Sequence, residues 1–332
     1  MAQLSTIGQE KSWRDRILSG LRGISPIYVV LILLLIGIGT QNPVFLEPSG
    51  ILNLLRRAAP LMILTAGQLF VIVAGGFDLS VGSIMSLTVI GASLLINNDP
   101  TNAWWVILVL FGIGIVAGLI NGALVSYLKV PSLIATLGML LALRGAGLYW
   151  TGGAPRGYLT DNFRAFGRGW LEPVPWVERF PYAVIVLIVV SAILIYLFHY
   201  TNLGRQLLAV GDNPRAAKLA GIQVEKMRIL AFVVSAVTAV IAGILQGGFG
   251  GVNPDAGDGY ELQAISAAVL GGAVLLGGRG SVPAAIAGAL ALEALFTLLN
   301  LLGLPKPLRD AVQGLIIIGA VAYAAFSARR SR

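Results

Sequence analysis

Ten apolar runs, separated by short polar stretches, occupy most of this 332-residue chain. They lie near 26–40, 58–75, 81–97, 103–127, 131–150, 181–200, 228–247, 261–277, 281–302 and 308–327. A helix that spans a bilayer needs about 20 apolar residues, so the pattern predicts a polytopic membrane bundle. Composition agrees: 57% of residues are hydrophobic, only 11% are charged, and the mean hydropathy is +0.85. Soluble domains carry about 25% charged residues. A soluble enzyme, a disordered chain and a nucleic-acid-binding domain are excluded at this point, and membrane lipid is the solvent to expect. The fold class expected is all-α, a bundle of about ten spans with broken or re-entrant helices.

Charge sets the expected orientation. The net charge of +8 reads as a positive-inside bias rather than as a nucleic-acid footprint. With the N-terminus inside, fourteen Lys and Arg fall in inside segments, among them Lys129, Arg205, Arg215, Lys218, Lys226 and Arg228. Eight fall outside, and of these Arg56 and Arg57 fit worst unless the second helix begins early. Both termini are therefore expected to be cytoplasmic, with a leader at 1–25, a transmembrane domain at 26–327 and a tail at 328–332. The chain has no cysteine and one histidine, His199. Thiolate chemistry, a histidine metal cluster and a Ser-His-Asp triad are excluded. No G-x-x-x-x-G-K-[ST] occurs, so no P-loop is present to cradle ATP phosphates.

Two loops stand out by length. The outer loop 151–180 carries Trp170, Trp176, Pro173 and Pro175, and reads either as a solvated loop with interfacial aromatic anchors or as a docking surface. The inner loop 201–227 contains Gly211-Asp212-Asn213-Pro214, then Ala216 and Ala217, then Gly221. Pro suits the first helical position, Asp or Asn the N-cap, and Gly the C-terminal stop. A short capped helix within 211–221 is expected, as an ordered connector or as a lever fitting another protein.

Two glycine-rich breaks interrupt the spans. In the first, Gly75-Gly76 precedes Asp78 and Ser80; in the second, 248–263, Asp255, Asp258 and Glu261 precede an apolar helix. Broken helices survive in membranes where they pack in protein or line a cavity. Asp78 is open to a capping or gate-forming role and to direct substrate contact. The repeated Asp78-Leu79 and Glu261-Leu262 hint at an inverted five-plus-five repeat. Arg144 and Glu293 are charges inside spans, and counting residues from the same side puts them at matching depth. Two readings follow: they pair across helices, or Glu293 faces the pathway. Gln68, Asn121, Gln246, Asn300 and Gln313 are neutral polar residues in or at the ends of spans, suited to interhelical hydrogen bonds or to transient contacts with a passing polyol.

Four segments, in order, carry a family resemblance: GGFDLSVGSI at 75–84, VPSLIATLGML with LRG at 130–145, LGRQLLAVGDNPRAAKLAGI at 203–222, and GYELQAISAAVLGG with LLGGRGSV at 259–282. They resemble the permease subunits of ribose-type ABC sugar importers, within the branched-chain amino-acid/ribose permease superfamily. The resemblance implies a transport subunit, not an enzyme, of the bacterial inner membrane. It implies a second permease chain, as homodimer or heterodimer, an ATP-binding cassette ATPase and an extracytoplasmic substrate-binding protein. No cofactor is expected on this chain and no metal; ATP and Mg belong to the ATPase. Residues 211–221 resemble the family's coupling helix. Gln68 and Glu293 depart from the pattern. A branched-chain amino-acid ABC permease and an ion-coupled secondary transporter are the alternatives.

Overall fold

The computed structural model describes residues 25–305 except 173, 175 and 176, together with scattered positions between 307 and 319. The leader 1–24, Gln313, Trp176, most of the 308–327 span and the tail lie outside the described residues. Helix α1 covers Pro26–Gln41, α2 Pro48–Val73, α3 Val81–Ile96, α4 Ala103–Ser126 and α5 Ser132–Thr151. Helix α6, Asp161–Arg168, lies in the long loop, followed by a two-stranded antiparallel ribbon, Trp170–Leu171 with Phe180–Pro181. Then come α7 (Tyr182–Ile195, continued by a wider turn to Tyr200), α8 (Asn202–Asp212), α9 (Pro214–Leu219), α10 (Val224–Gly250), α11 (Tyr260–Leu270) and α12 (Val282–Leu301).

Among the described residues, six helices are long and apolar enough to cross a membrane, and α1 and α3 are shorter apolar helices. The protein is an all-α, multi-pass membrane bundle. Helices α2 and α10 form its axis. Every residue of α2 from Ala58 to Val73 is buried, and α10 packs on α2, α3, α4 and α6. The α10 contacts are close because glycines line them. Gly114, Gly118 and Gly122, four residues apart on α4, meet Val240, Phe232–Val233 and Ile229 of α10, and a side chain at Gly118 or Gly122 would strike α10 backbone. Without a hydrophobic force between helices in lipid, such backbone approach is a main source of association.

Three expectations need correction. The second span begins at Pro48, ten residues earlier than 58, so Arg56 and Arg57 lie inside α2. Arg56 is tolerated there because its guanidinium stacks on Trp170 at 4.6 Å and Phe249 at 5.1 Å, a cation–π arrangement. The expected span 261–277 is helical only over Tyr260–Leu270; at 1.5 Å per residue that is about 16 Å, half a bilayer core. Gly271, Gly272, Gly277 and Gly278 turn the chain after it, and the last three have φ between 77° and 92°, which excludes a continued helix. In the inner loop, Gly211 and Asp212 close α8 rather than open the capped helix.

Candidate functional site

The first break meets three helices. Asp78 is fully buried, and its Oδ1 accepts from the Ser80 backbone N–H at 3.0 Å and from Ser80 Oγ at 2.6 Å. Ser80 Oγ accepts in turn from Asn121 Nδ2 of α4 at 2.9 Å. Gln68 of α2 accepts from Ser235 of α10 at 3.4 Å. The sequence candidates Gln68, Asp78, Ser80 and Asn121 are all completely buried. They form a polar layer between helices, not the lining of an open channel in this conformation. Asp78 Oδ2, Gln68 Nε2 and Asn121 Oδ1 have no hydrogen-bond partner among the described residues.

Two hydroxyls that the sequence reading did not single out secure this break. Phe77 N–H donates to Ser132 Oγ at 3.1 Å and Leu79 N–H to Thr136 Oγ1 at 3.0 Å. Ser132 and Thr136 stand four residues apart on one face of α5. The signal was present as hydroxyls at i and i+4 opening an apolar helix.

The second break folds back into the bundle. Gly257 N–H donates to Ser86 Oγ of α3 at 2.9 Å. The Glu261 carboxylate lies where a side chain at Gly82 would sit, against the first turn of α3, a favourable place for negative charge. Both breaks therefore converge on the start of α3.

Arg144 and Glu293 do not pair. Arg144 Nη2 lies 2.9 Å from Asp258 and 3.5 Å from Asp255. Equal depth did not bring Glu293 near, because α5 packs on α3 and α4 whereas α12 packs on α1, α2 and α11. Arg57 and Tyr260 are the ionisable neighbours of Glu293. The Arg144, Asp255 and Asp258 side chains are 48%, 60% and 46% exposed.

The inner loop is a helical corner. Asn213 caps α9, its Oδ1 accepting from Arg215 N–H at 3.1 Å and Ala216 N–H at 3.0 Å, with Pro214 at the first position. Gly221 (φ +83°) reverses the chain, and Ile222 N–H returns to the Ala217 carbonyl at 3.0 Å. Ala217 is buried, while Leu219 is 91% exposed. Gly211, at the end of α8, lies so close to the Val73 carbonyl that any side chain there would collide with it. The same carbonyl accepts from Gly278 N–H at 2.9 Å. A side chain at Gly277 would come within 3.0 Å of the Gly211 and Gly75 backbones. The corner therefore rests directly on the end of α2 at the first break and on the glycine turn that follows α11. Among the described residues no cluster of three or more His, Asp or Glu side chains is arranged to hold a metal ion.

The chain is a glycine-packed multi-pass bundle with two broken segments and a capped corner at one end, and its relatives define the class as a membrane permease subunit. Residues 50–321 match the family described as branched-chain amino acid transport system, permease component, and the chain belongs to that family. It is 37% identical over 299 residues to the ribose import permease protein RbsC of Bacillus subtilis strain 168, covering 89% of this chain and 90% of that one. RbsC of Escherichia coli K12 is 34% identical over 298 residues, covering 88% and 91%. The autoinducer 2 import system permease protein LsrC of Enterobacter sp. strain 638 is 34% identical over 310 residues, covering 93% and 86%. No solved structure matches the chain.

Proposed function

We propose that this chain is the membrane subunit of an ATP-driven importer that moves a monosaccharide or similar polyol inward by alternating access. In this reading it pairs with a second permease chain, an ATP-binding cassette ATPase carrying ATP and Mg, and an extracytoplasmic binding protein. It sits in the bacterial inner membrane with both termini cytoplasmic. The names of its relatives support a sugar-like cargo over a branched-chain amino acid.

The observation that carries the reading is the α8–α9 corner. Its outer face offers Leu219, an apolar side chain with almost no contact of its own, and an exposed large apolar group on an ordered, capped helix suits a protein partner. Its inner face is seated on the Val73 and Gly278 backbones. A pull on α9 is therefore transmitted to the first break and to the glycine turn after α11 without an intervening flexible side chain. The polar layer above has unpaired atoms at Asp78, Gln68 and Asn121. Each buried group left unpaired costs about 1–3 kcal/mol, so a conformation that pairs them would be favoured at this layer.

The pathway is assigned to the face of α5. A charge exposed to lipid at mid-span costs about 2.5–3.5 kcal/mol or more. Arg144, half exposed within the apolar length of α5, with Asp255 and Asp258 of the second break against it, fits a face turned to water and the second chain.

The test is Leu219→Asp in membranes of the native host. Desolvating a carboxylate at the contact should weaken ATPase association at least tenfold and abolish uptake, with insertion unchanged. Unaltered association and uptake would remove the coupling role. Uptake that persists with the ATPase inactivated and follows an ion gradient would identify a secondary transporter.

A further inference from the structure

A cavity of about 230 Å³ opens beside the first break, at the end of the bundle that carries α8 and α9. Its walls come from four places. The end of α2 and the break supply Gly75 and Gly76, α4 supplies Val125, the α4–α5 turn supplies Lys129 to Ser132, and α10 supplies Arg228 and Phe232. Two cations line it and no carboxylate does.

Lys129 stands on a fixed turn, its side chain 65% exposed. Lys129 has φ +56°, left-handed for a residue that is neither glycine nor asparagine. The turn is closed by Val130 N–H on the Leu124 carbonyl at 3.1 Å. A residue kept in that region marks a place where the surroundings fix the conformation. Arg228 sits on the first turns of α10, half-buried, and makes no ion pair among the described residues. Glu225 lies 3.7 Å from Lys129 and 3.8 Å from Lys218, so one negative charge is shared by two lysines. The local balance stays positive, and the space between Lys129 and Arg228 is roomy enough for a tetrahedral oxyanion.

We propose that this cavity is an anion site for a phosphate group, supplied by an anionic phospholipid headgroup or by free phosphate. Lys129 would meet it as a point charge and Arg228 as a planar donor fork. The anion would lie against Gly75 and Gly76, next to the Ser132 hydroxyl that holds Phe77. Occupancy therefore stabilises the first break as seen here. The site does not depend on the importer reading; only the leaflet assigned to it does.

The experiment uses the full chain, purified in neutral detergent. Thermal unfolding and native mass spectrometry are recorded with phosphatidylglycerol, with phosphatidylcholine and with inorganic phosphate. Phosphatidylglycerol should raise the melting temperature and stay bound, and phosphatidylcholine should do neither. An equal shift with inorganic phosphate would identify free phosphate as a sufficient source; a shift with the lipid alone would identify the headgroup. Lys129→Gln with Arg228→Gln should weaken the response at least tenfold, Arg228→Lys should weaken it less, and Lys226→Gln, at a neighbouring cation outside the cavity, should leave it unchanged. Val125→Phe keeps both cations and fills the space, so it should lose the response too; it serves if the double variant fails to fold. A wild-type response in the folded double variant or in Val125→Phe would overturn the site. So would a loss in Lys226→Gln equal to that in the double variant, which would mean diffuse surface charge.

Discussion

Asp78 shows how much of a residue's role is decided by what reaches it. Its place after two glycines and before a helix left capping and substrate contact both open. In the fold its carboxylate closes a two-residue turn onto Ser80 and leaves its second oxygen unpaired within a sealed layer. Removing the carboxylate should strand the Ser80 N–H and hydroxyl. Asp78→Ala is expected to cost about 1–3 kcal/mol in reversible unfolding, from the buried groups left unsatisfied. Asp78→Asn keeps an acceptor for Ser80 and should lose less than half as much. Equal losses would mean that the charge, not the acceptor, is what the layer requires. The neutral polar residues behave similarly: Gln68 and Asn121 read from sequence as interhelical bonds or as pathway contacts, and burial places them in the interhelical layer.

At the scale of elements, local chemistry was legible where it was self-contained. Asn213, Pro214 and Gly221 specify where α9 starts and stops through their own backbone preferences, and the helix is found between them. Asn213→Ala should destabilise α9 by about 1 kcal/mol, seen as roughly fivefold faster amide exchange across 215–220 with the rest of the chain unchanged. Hydropathy was less informative where glycine intervened. Residues 261–277 are apolar enough to span, yet Gly272, Gly277 and Gly278 adopt left-handed turns that stop the helix after Leu270. An apolar average does not register where the backbone reverses. The early start of α2 was hidden for the opposite reason: two arginines end an apolar run, and only the Trp170 and Phe249 rings make Arg56 acceptable inside a helix.

On the scale of the whole molecule the remaining question is which face meets water. The chain has no cysteine, so single cysteines report without background. Gly145, beside Arg144, has open space around it, whereas Val116 lines an apolar groove between α4 and α5. In membranes, Gly145→Cys should react with an impermeant thiol reagent at least tenfold faster than Val116→Cys, because the reactive thiolate forms only where water enters. Equal rates would show that the α5 face is turned to lipid. Sequence alone determined that this chain is a helical membrane bundle, that it lacks the residues for ATP hydrolysis by a P-loop, and where its capped corner lies. These depend on composition, on runs of one residue type and on neighbours in the chain. Tertiary structure alone decided that Arg144 meets Asp258 rather than Glu293, that Ser132 and Thr136 hold the first break, and that Gly211 seats the corner on Val73. Depth can be counted along a helix, but azimuth and neighbour depend on which helices pack together, and that is settled by glycine contacts between segments far apart in the chain.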